Sequence, residues 1–491
     1  MNKPNPFSYI TLLTVVLFIG GCATVAYAQK AKTSETRQWL QFRGPNGTGV
    51  AEGVTLPAEF GPNKNLVWKT ALPFARSSPV VTVDRVFITA TEGDKLSTFA
   101  LDRKTGKILW RRDVVRARQM QMYKANDGAS PSPVSDGKNV FAFFSELGLI
   151  AYGPGGNELW RVPLGPFNSF YGMAASPILA GNTLVMVCDH RTNSFIVAVD
   201  SRNGKVLWKK PRPNFEAYST PSVYKPKDGP TQILVLGSGS SSLDAYSVDK
   251  GERLWWVAKI GNYPKGVPVL GTDMVYVHFD GGDEPFLPPF DETLKSDKDN
   301  DKRLHRDELK DRQGYFGWLD GNGDEYVDRT EWDFVRDSLV GGYGVTAVQL
   351  GARGGTRDRS TTNVVWNVRK SYPSIPSPLI YKGVMYLMKE GGILSSLDPT
   401  SGTVLKMGRT PDALEPYYAS PVAADGKVFL LSASGKVTVL KAGAQWEIIA
   451  TNDLDEECWA TPAIAGNNIY IRTRDALYSF GQLAYGRSNG D

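Results

Sequence analysis

The sequence predicts an all-β fold, an eight-bladed β-propeller, from three regularities. Eight prolines that follow Ser, Thr or Val recur at intervals of 41 to 54 residues, with one interval of 110. They are Pro79, Pro133, Pro177, Pro221, Pro268, Pro378, Pro421 and Pro462. Short alternating apolar runs follow these prolines, and several units end in a glycine turn and a tryptophan. A period of about 40–45 residues rich in short strands is typical of a propeller with four strands per blade.

The prolines have a physical place in such a blade. Proline cannot donate to a β-ladder, so it is tolerated at a sheet edge or as the first residue of a strand. It also pushes the preceding residue towards an extended conformation. We therefore expect each proline to stand where the innermost strand of a blade begins, beside the central channel.

The end of the first unit shows how the blades are expected to interlock. The segment 102–106 predicts a turn in which Gly106 takes a positive φ cheaply, and Trp110 follows on the outer strand. The same ending recurs with Gly204 before Trp208. We expect each such tryptophan to pack against a neighbouring blade.

This ending carries a family resemblance. Ala100, Asp102, Thr105, Gly106 and Trp110 fit the pattern Ala-x-Asp-x-x-Thr-Gly-x-x-x-Trp. In this pattern the chain resembles the pyrroloquinoline-quinone (PQQ) repeat propellers, of an exported bacterial type similar to the propeller lipoprotein of barrel assembly. The resemblance covers nearly the whole mature chain. It implies the fold strongly and the function weakly.

Both ends of the chain contribute to one blade. The last unit has inner strands after Pro462 but no outer strand with a tryptophan, whereas residues 65–70 near the N-terminus form an outer strand without inner ones. We expect residues 65–70 to complete the eighth blade. Such closure removes exposed sheet edges.

The long interval between Pro268 and Pro378 predicts a small helical insert in blade 5 with two calcium loops. Both segments, 297–308 and 320–331, fit the twelve-residue EF-hand loop, in which oxygen donors stand at positions 1, 3, 5, 7, 9 and 12. The predicted ligands are Asp297, Asp299, Asp301, the Arg303 carbonyl and Glu308 in the first loop, and Asp320, Asn322, Asp324, the Tyr326 carbonyl, Asp328 and Glu331 in the second.

Both loops depart from the EF-hand pattern at position 6, and both are flanked by apolar residues. Position 6 is normally glycine, but here it is Lys302 and Glu325, which costs about 1 kcal/mol in a left-handed conformation and predicts weakened sites. Leu304 and Val327 are the apolar residues expected to pair the loops back to back. We expect helices before, between and after the loops, with apolar faces listed here in order: Phe290 and Leu294; Leu309, Phe316 and Leu319; Phe334, Val335 and Leu339.

The N-terminus predicts export. Lys3 precedes the apolar run 9–20, which is too short to span a bilayer, and Ala26-Tyr27-Ala28 fits a cleavage site. Cys22 in Ile-Gly-Gly-Cys resembles a lipobox, so a lipid anchor is the alternative. The expected organisation is a signal peptide 1–28, a lead-in 29–64, propeller residues 65–279, an EF-hand pair 280–342, propeller residues 343–482 and a tail 483–491. The protein would then be periplasmic or secreted, or an outer-membrane lipoprotein.

Composition excludes some classes of function. The net charge of +5 on 491 residues is small and its basic residues are scattered, which speaks against a nucleic-acid partner. No segment after the N-terminus predicts a membrane span. Cys188 and Cys458 lie in distant units and predict two buried free thiols rather than a disulfide.

Aromatic residues before the strand-opening prolines are expected to ring one mouth of the channel. They are Phe74, Tyr171, Tyr218, Tyr263, Tyr372, Tyr418 and Trp459. Such a rim suits stacking on a ligand, and equally suits wedging between blades. We assign no catalytic residue.

Three functions compete. The first is a non-catalytic exported scaffold that binds calcium and a protein partner. The second is a PQQ-dependent oxidoreductase that uses the channel. Resemblance to such enzymes implies adjacent cysteines over the cofactor, which this sequence lacks. The third is a polysaccharide-binding protein. The missing cysteine pair favours the first.

Overall fold

A computed structural model describes residues 37–482, apart from 117, 119, 121, 123–125, 240–241, 282–283, 286, 339, 341, 352–356, 371 and 412–413. The described residues form eight four-stranded antiparallel sheets, each following chain order from an inner to an outer strand except at the ring closure. The predicted eight-bladed propeller is confirmed. The proposed signal peptide, the Cys22 anchor, Leu339 and the tail lie outside the described residues.

The first four blades follow one another without interruption. Their strands are Val80–Val81, Arg85–Glu92, Lys95–Asp102 and Ile108–Val115 in blade 1; Val134–Ser135, Val140–Phe144, Gly148–Tyr152 and Glu158–Pro163 in blade 2; Ile178–Ala180, Thr183–Cys188, Phe195–Asp200 and Val206–Pro211 in blade 3; and Ser222–Tyr224, Gln232–Leu236, Leu243–Ser247 and Arg253–Val257 in blade 4. A two-stranded ribbon, Asn214–Phe215 with Ser238–Gly239, lies beside blade 4.

The remaining blades include the insert and the ring closure. Their strands are Val269–Leu270, Met274–Phe279, Gly344–Gln349 and Val364–Val368 in blade 5; Leu379–Tyr381, Val384–Lys389, Ile393–Leu397 and Val404–Arg409 in blade 6; Val422–Ala424, Lys427–Leu431, Lys436–Lys441 and Glu447–Asp453 in blade 7; and Ala463–Ala465, Asn468–Arg472, Ala476–Gly481 and Leu66–Ala71 in blade 8. Leu66–Ala71 pairs antiparallel with Ala476–Gly481, as the sequence predicts.

Every inner strand begins at the residue directly after its proline. The residue before the proline has a second role that the pattern did not reveal. Its backbone N–H donates to the hydroxyl of the equivalent residue in the next blade, at 2.9–3.1 Å, in the pairs Ser78–Ser132, Ser132–Ser176, Ser176–Thr220, Val267–Ser377, Ser377–Ser420 and Ser420–Thr461. At the blade 4–5 junction, Val267 has no hydroxyl, and Ser219 donates to the Gly266 carbonyl instead. These bonds tie the blades together around the channel.

Outer-strand tryptophans lock one blade to the next at five junctions, whereas Trp255 of blade 4 donates to Gln232 of its own blade. Trp208 of blade 3 donates its indole N–H to the Val248 carbonyl of blade 4 at 2.9 Å and covers the Gly251 turn. Equivalent bonds join Trp68 to Arg103, Trp110 to Pro154, Trp160 to Ser201 and Trp366 to Pro399. The indole ring of Trp208 lies so close to this turn that a Cβ would not fit, so the turn carries a glycine.

The N-terminal lead-in closes one end of the channel. Trp39 pairs with Val81 of blade 1, and Val50 pairs with Ala423 of blade 7. Between them Arg43 is fully buried and donates to the Pro378 carbonyl at 2.9 Å. Burial lowers the pKa of Arg43 to about 9. Arg43 thus joins the lead-in to blade 6.

The insert extends from the turn between the second and third strands of blade 5. Its helices are Phe290–Thr293, Leu294–Ser296, Arg306–Glu308, Lys310–Tyr315, Phe316–Leu319 and Arg329–Ser338. The single α-helix expected between the loops is wrong: a 3₁₀ segment, Lys310–Tyr315, and a short α-helix, Phe316–Leu319, replace it. Phe334 is also not on a buried face, since 44% of it is exposed and it packs edge-on against Phe215 of the propeller.

The apolar core is divided among the blades. Cys188 and Cys458 are buried free thiols, which confirms the sequence-based expectation. No helix within the described ranges has the length and apolarity needed to cross a lipid bilayer.

Candidate functional site

The first acidic loop of the insert wraps its own backbone around one carboxylate. Asp297 accepts hydrogen bonds from the N–H groups of Asn300, at 2.8 Å, and Lys302, at 3.0 Å. Desolvation opposes the charged form of Asp297, but these N–H groups outweigh it, so its pKa is lowered. At the far end of the loop, Glu308 is buried and its carboxylate accepts hydrogen bonds from the backbone N–H groups of Lys298, at 2.7 Å, and His305, at 2.8 Å. The loop is therefore closed at both ends by carboxylates.

The second loop repeats this arrangement. Asp320 accepts from Gly323 at 2.7 Å and from Glu325 at 3.1 Å. Glu331 accepts from Gly321 at 2.9 Å and from Asp328 at 3.1 Å. Burial raises the pKa of Glu331 against the effect of these N–H groups. A cation beside this carboxylate would relieve the cost of its burial.

The backbone also follows the predicted loop. Lys302 and Glu325, at position 6, have φ values of 66° and 70°, in the left-handed region that the sequence anticipates. Leu304 pairs with Val327 in a short antiparallel bridge, and both side chains are fully buried. The two loops therefore lie back to back around one apolar contact.

The donor set of the first loop fits a calcium ion. One carboxylate oxygen each from Asp297, Asp299 and Glu308 lie within 4.8 Å of one another. Calcium binds oxygen at about 2.3–2.6 Å, so two of its ligands can stand at most about 5 Å apart. Asp301, by contrast, is held by the Arg303 guanidinium at 3.0–3.1 Å. Asp301 is not one of the three carboxylates that converge.

The insert is fixed to the propeller through the second loop. Arg191 of blade 3 donates to the carbonyls of Gly317, at 2.9 Å, and Asp320, at 3.3 Å. Asn168 donates to the Gly321 carbonyl. Arg191 also lies 3.6 Å from the fully buried carboxylate of Glu216, which accepts from the Phe170 N–H at 2.6 Å. The sequence does not reveal these contacts, because each joins residues that are far apart in the chain.

The aromatic residues before the prolines do not form one open ring. We call the side of the propeller that carries these loops and the insert the loop face. On it Tyr218 and Tyr263 are 9% and 7% exposed and belong to the apolar core of the insert, with Phe290, Trp318 and Trp332. Tyr171 is 38% exposed and packs edge-on against Tyr218. The insert thus covers the loop face over blades 4 and 5.

The other aromatic residues are half-buried on the opposite half of the loop face. Trp459 packs edge-on against Phe74 and Tyr418, with ring centroids 5.7 and 5.9 Å apart. Tyr372 packs against Tyr343. Within the described residues, none of these aromatic side chains belongs to the apolar core of the insert, so we call this half, over blades 6, 7, 8 and 1, the uncovered half.

The sequence of this propeller matches one family over most of its length. The family's sequence model is described as outer membrane protein assembly factor BamB and matches residues 50–257 and 339–489. The chain belongs to this family. The gap in the match to the BamB family includes both acidic loops.

Two curated relatives are similar to part of this BamB-family chain. A polyvinylalcohol dehydrogenase of Pseudomonas sp is 26% identical over 263 residues, which cover 47% of this chain and 38% of that protein. A polyvinylalcohol dehydrogenase of Sphingopyxis sp. (strain 113P3) is 24% identical over 231 residues, which cover 44% and 33%. The matches thus span about a third of the length of these relatives.

Solved structures share the fold. BamB from Moraxella catarrhalis is 12% identical with a TM-score of 0.52, over 86% of this chain and 98% of that one. A europium-containing methanol dehydrogenase is 11% identical with a TM-score of 0.54, over 92% and 99%. The quinohemoprotein alcohol dehydrogenase ADHIIG from Pseudomonas putida HK5 is 13% identical with a TM-score of 0.55, over 92% and 81%. At these identities the likeness is one of fold alone.

Proposed function

We propose that this BamB-family chain is an exported, periplasmic or secreted, calcium-binding propeller that acts as a non-catalytic binding or assembly scaffold. One observation carries the proposal: three carboxylates of the first loop converge to within 4.8 Å in an insert that is bonded to the loop face. Calcium in both EF-hand loops would fix the insert over blades 4 and 5. The opposite half of the loop face would receive the partner.

The residues that would hold calcium are those the loop pattern predicts. In the first loop they are Asp297, Asp299, Asp301, Glu308 and the Arg303 carbonyl. In the second they are Asp320, Asn322, Asp324, Asp328, Glu331 and the Tyr326 carbonyl. A left-handed residue at position 6 costs about 1 kcal/mol, so we expect each site to bind calcium about fivefold more weakly than a loop with glycine there, in keeping with an exported protein.

Calcium is expected to raise the stability of the protein. A ligand at about ten times its Kd adds about 1.4 kcal/mol per site to the free energy of unfolding. Thermal unfolding is measured in EDTA, in calcium and in the same concentration of magnesium. We expect the calcium-dependent rise in Tm to shrink in Glu308→Gln and in Glu331→Gln, and to vanish when the two are combined.

A neighbouring residue provides the control for this experiment. Asp307 precedes Glu308 and is exposed. Its carboxylate bonds to the side chains of Lys298 and His305 rather than to the backbone N–H groups inside the loop. Asp307→Asn removes the same charge and should keep the full calcium response. Equal loss in Asp307→Asn and Glu308→Gln would mean that the response reflects surface charge and not the two loops.

The scaffold role is tested by capture from a periplasmic extract. Family membership and the uncovered half of the loop face both support a protein partner. We expect the tagged full chain to retain specific proteins, and the substitution Trp459→Ala to release them. Retention of the same proteins by Trp459→Ala would place the partner elsewhere on the propeller.

The competing function is a PQQ-dependent oxidoreductase, and the two polyvinylalcohol dehydrogenase relatives favour it. It is tested by adding PQQ and calcium to the purified protein. Quinone absorbance that stays with the protein, together with dye reduction by alcohols, sugars or polyvinyl alcohol, would establish the enzyme and overturn the scaffold. We expect neither signal, because the sequence has no adjacent cysteines.

A further inference from the structure

The second acidic loop is bonded to the propeller at its first two residues. Arg191 of blade 3 donates to the Asp320 carbonyl at 3.3 Å, and Asn168, in the loop that leads into blade 3, donates to the Gly321 carbonyl. Asp320 and Gly321 are positions 1 and 2 of the twelve-residue loop. The propeller therefore holds two successive peptide units of this loop by their carbonyl oxygens.

The N–H groups of the same two peptide units are bonded to one carboxylate. Gly321 and Asn322 both donate their backbone N–H to Oε1 of Glu331, at 2.9 and 3.1 Å. Glu331 is the position-12 residue, which supplies a bidentate carboxylate in an EF-hand loop. Two peptide units thus connect Arg191 and Asn168 of the propeller to the Glu331 carboxylate.

The two propeller donors are themselves fixed in place. The Arg191 side chain is 4% exposed and lies 3.6 Å from the Glu216 carboxylate, which is fully buried. The Arg191 backbone N–H donates to the Asn168 carbonyl at 2.8 Å, so the two donors form one unit. Side chains locked in this way by packing and hydrogen bonds can hold a binding group in a defined geometry.

The first loop is closed in the same way but without the propeller. The Lys298 N–H donates to Oε1 of Glu308 at 2.7 Å, which matches the bond from Gly321 to Glu331. The hydrogen bonds and ion pairs described for residues 297–308 all lie within the insert. Within the described contacts, only the second loop has its position-12 carboxylate linked to a blade.

We infer that Arg191 and Asn168 are positioning residues for the second calcium site and that the first site is independent of them. A peptide unit whose carbonyl accepts a hydrogen bond is a stronger donor at its N–H, because bonds in a chain polarise one another. Outer partners of this kind orient a metal ligand and raise the affinity of its site. The coupling is reciprocal, so calcium in the second loop would strengthen the contact between the insert and blade 3.

The inference rests on the proposed calcium binding and adds that the propeller regulates one of the two sites. Calorimetric titration with calcium measures one site at a time, because Glu308→Gln leaves the second site and Glu331→Gln leaves the first. We expect Asn168→Ala to weaken calcium binding about tenfold in the Glu308→Gln background and by less than about twofold in the Glu331→Gln background.

The choice of variant and control follows from the contacts. Asn168→Ala removes one donor without changing the charge, whereas Arg191→Gln would leave the buried carboxylate of Glu216 unpaired. Asn126 is a matched control, because its amide donates to the Tyr171 carbonyl on the same face, at 2.7 Å, and not to the insert. Asn126→Ala should change the affinity of neither site.

The possible results separate the inference from the proposed function. An unchanged affinity of the second site in Asn168→Ala, or equal weakening of both sites, would overturn the inference and leave calcium binding intact. Absence of calcium binding in both Glu308→Gln and Glu331→Gln would contradict the proposed function, and the inference would fall with it.

Amide hydrogen exchange tests the reverse direction and needs no change in the propeller. The reporters are the N–H groups of Phe170, which donates to Glu216, and of Arg191. We expect calcium to slow their exchange in Glu308→Gln and not in Glu331→Gln. Equal slowing in the two variants, or none in Glu308→Gln, would overturn the inference.

Discussion

Replacing Gly251 with alanine is expected to destabilise the propeller by about 2–5 kcal/mol. A Cβ at Gly251 would lie 2.5 Å from the Trp208 ring, and the residue has a φ of +64°. The left-handed conformation costs an alanine about 1–2 kcal/mol, and overpacking adds about 1–3 kcal/mol. Equilibrium urea unfolding measures the loss, provided that the m-value is unchanged.

Gly181 in blade 3 is a matched control. It has the same φ of +64°, but nothing lies within 4 Å of its added Cβ. Gly181→Ala should therefore lose only the conformational part, about 1–2 kcal/mol. If Gly251→Ala lowers the free energy of unfolding no more than Gly181→Ala does, Trp208 does not lock blades 3 and 4 together.

Replacing Arg212 with glutamine is expected to cost about 3–5 kcal/mol, because it leaves buried carboxylates without their counter-charge. The Arg212 side chain is fully buried between Asp189 of blade 3 and Asp244 of blade 4, at 2.7 and 3.1 Å. Asp244 keeps Arg253 as a second partner, whereas the described contacts give Asp189 no other arginine. Urea unfolding again measures the change.

The control for Arg212 lies in the same blade. Arg202 pairs with Asp200 at 2.6 Å, but its side chain is 69% exposed. Arg202→Gln should change stability by no more than about 0.5 kcal/mol, since exposed ion pairs contribute little. The double variant Arg212→Gln with Asp189→Asn should recover part of the loss by removing the unpaired charge. Equal effects of Arg202→Gln and Arg212→Gln would contradict the role of burial.

Local chemistry explains what could be predicted from the sequence. A proline restricts its own backbone and that of the preceding residue, so the start of every inner strand was visible in the chain. The acidic loops were equally visible, since donor spacing and position-6 backbone are properties of one short segment. The left-handed Lys302 and Glu325 follow directly from that register.

Tertiary placement explains what the sequence did not reveal. Tyr218 and Tyr263 were expected on an open rim, but the apolar side of the insert covers them, and that docking depends on Arg191 and Asn168 of a different blade. The helix expected between the loops is 3₁₀ over Lys310–Tyr315 and α-helical only over Phe316–Leu319.

We propose that the insert holds two calcium ions. Calorimetric titration of the purified full chain with calcium, up to about 5 mM and with no other divalent ion present, measures this number. We expect two ions per chain in the wild type, one in Glu308→Gln, one in Glu331→Gln and none in the double variant. Absence of binding in the wild type over this range, or full binding in the double variant, would contradict it.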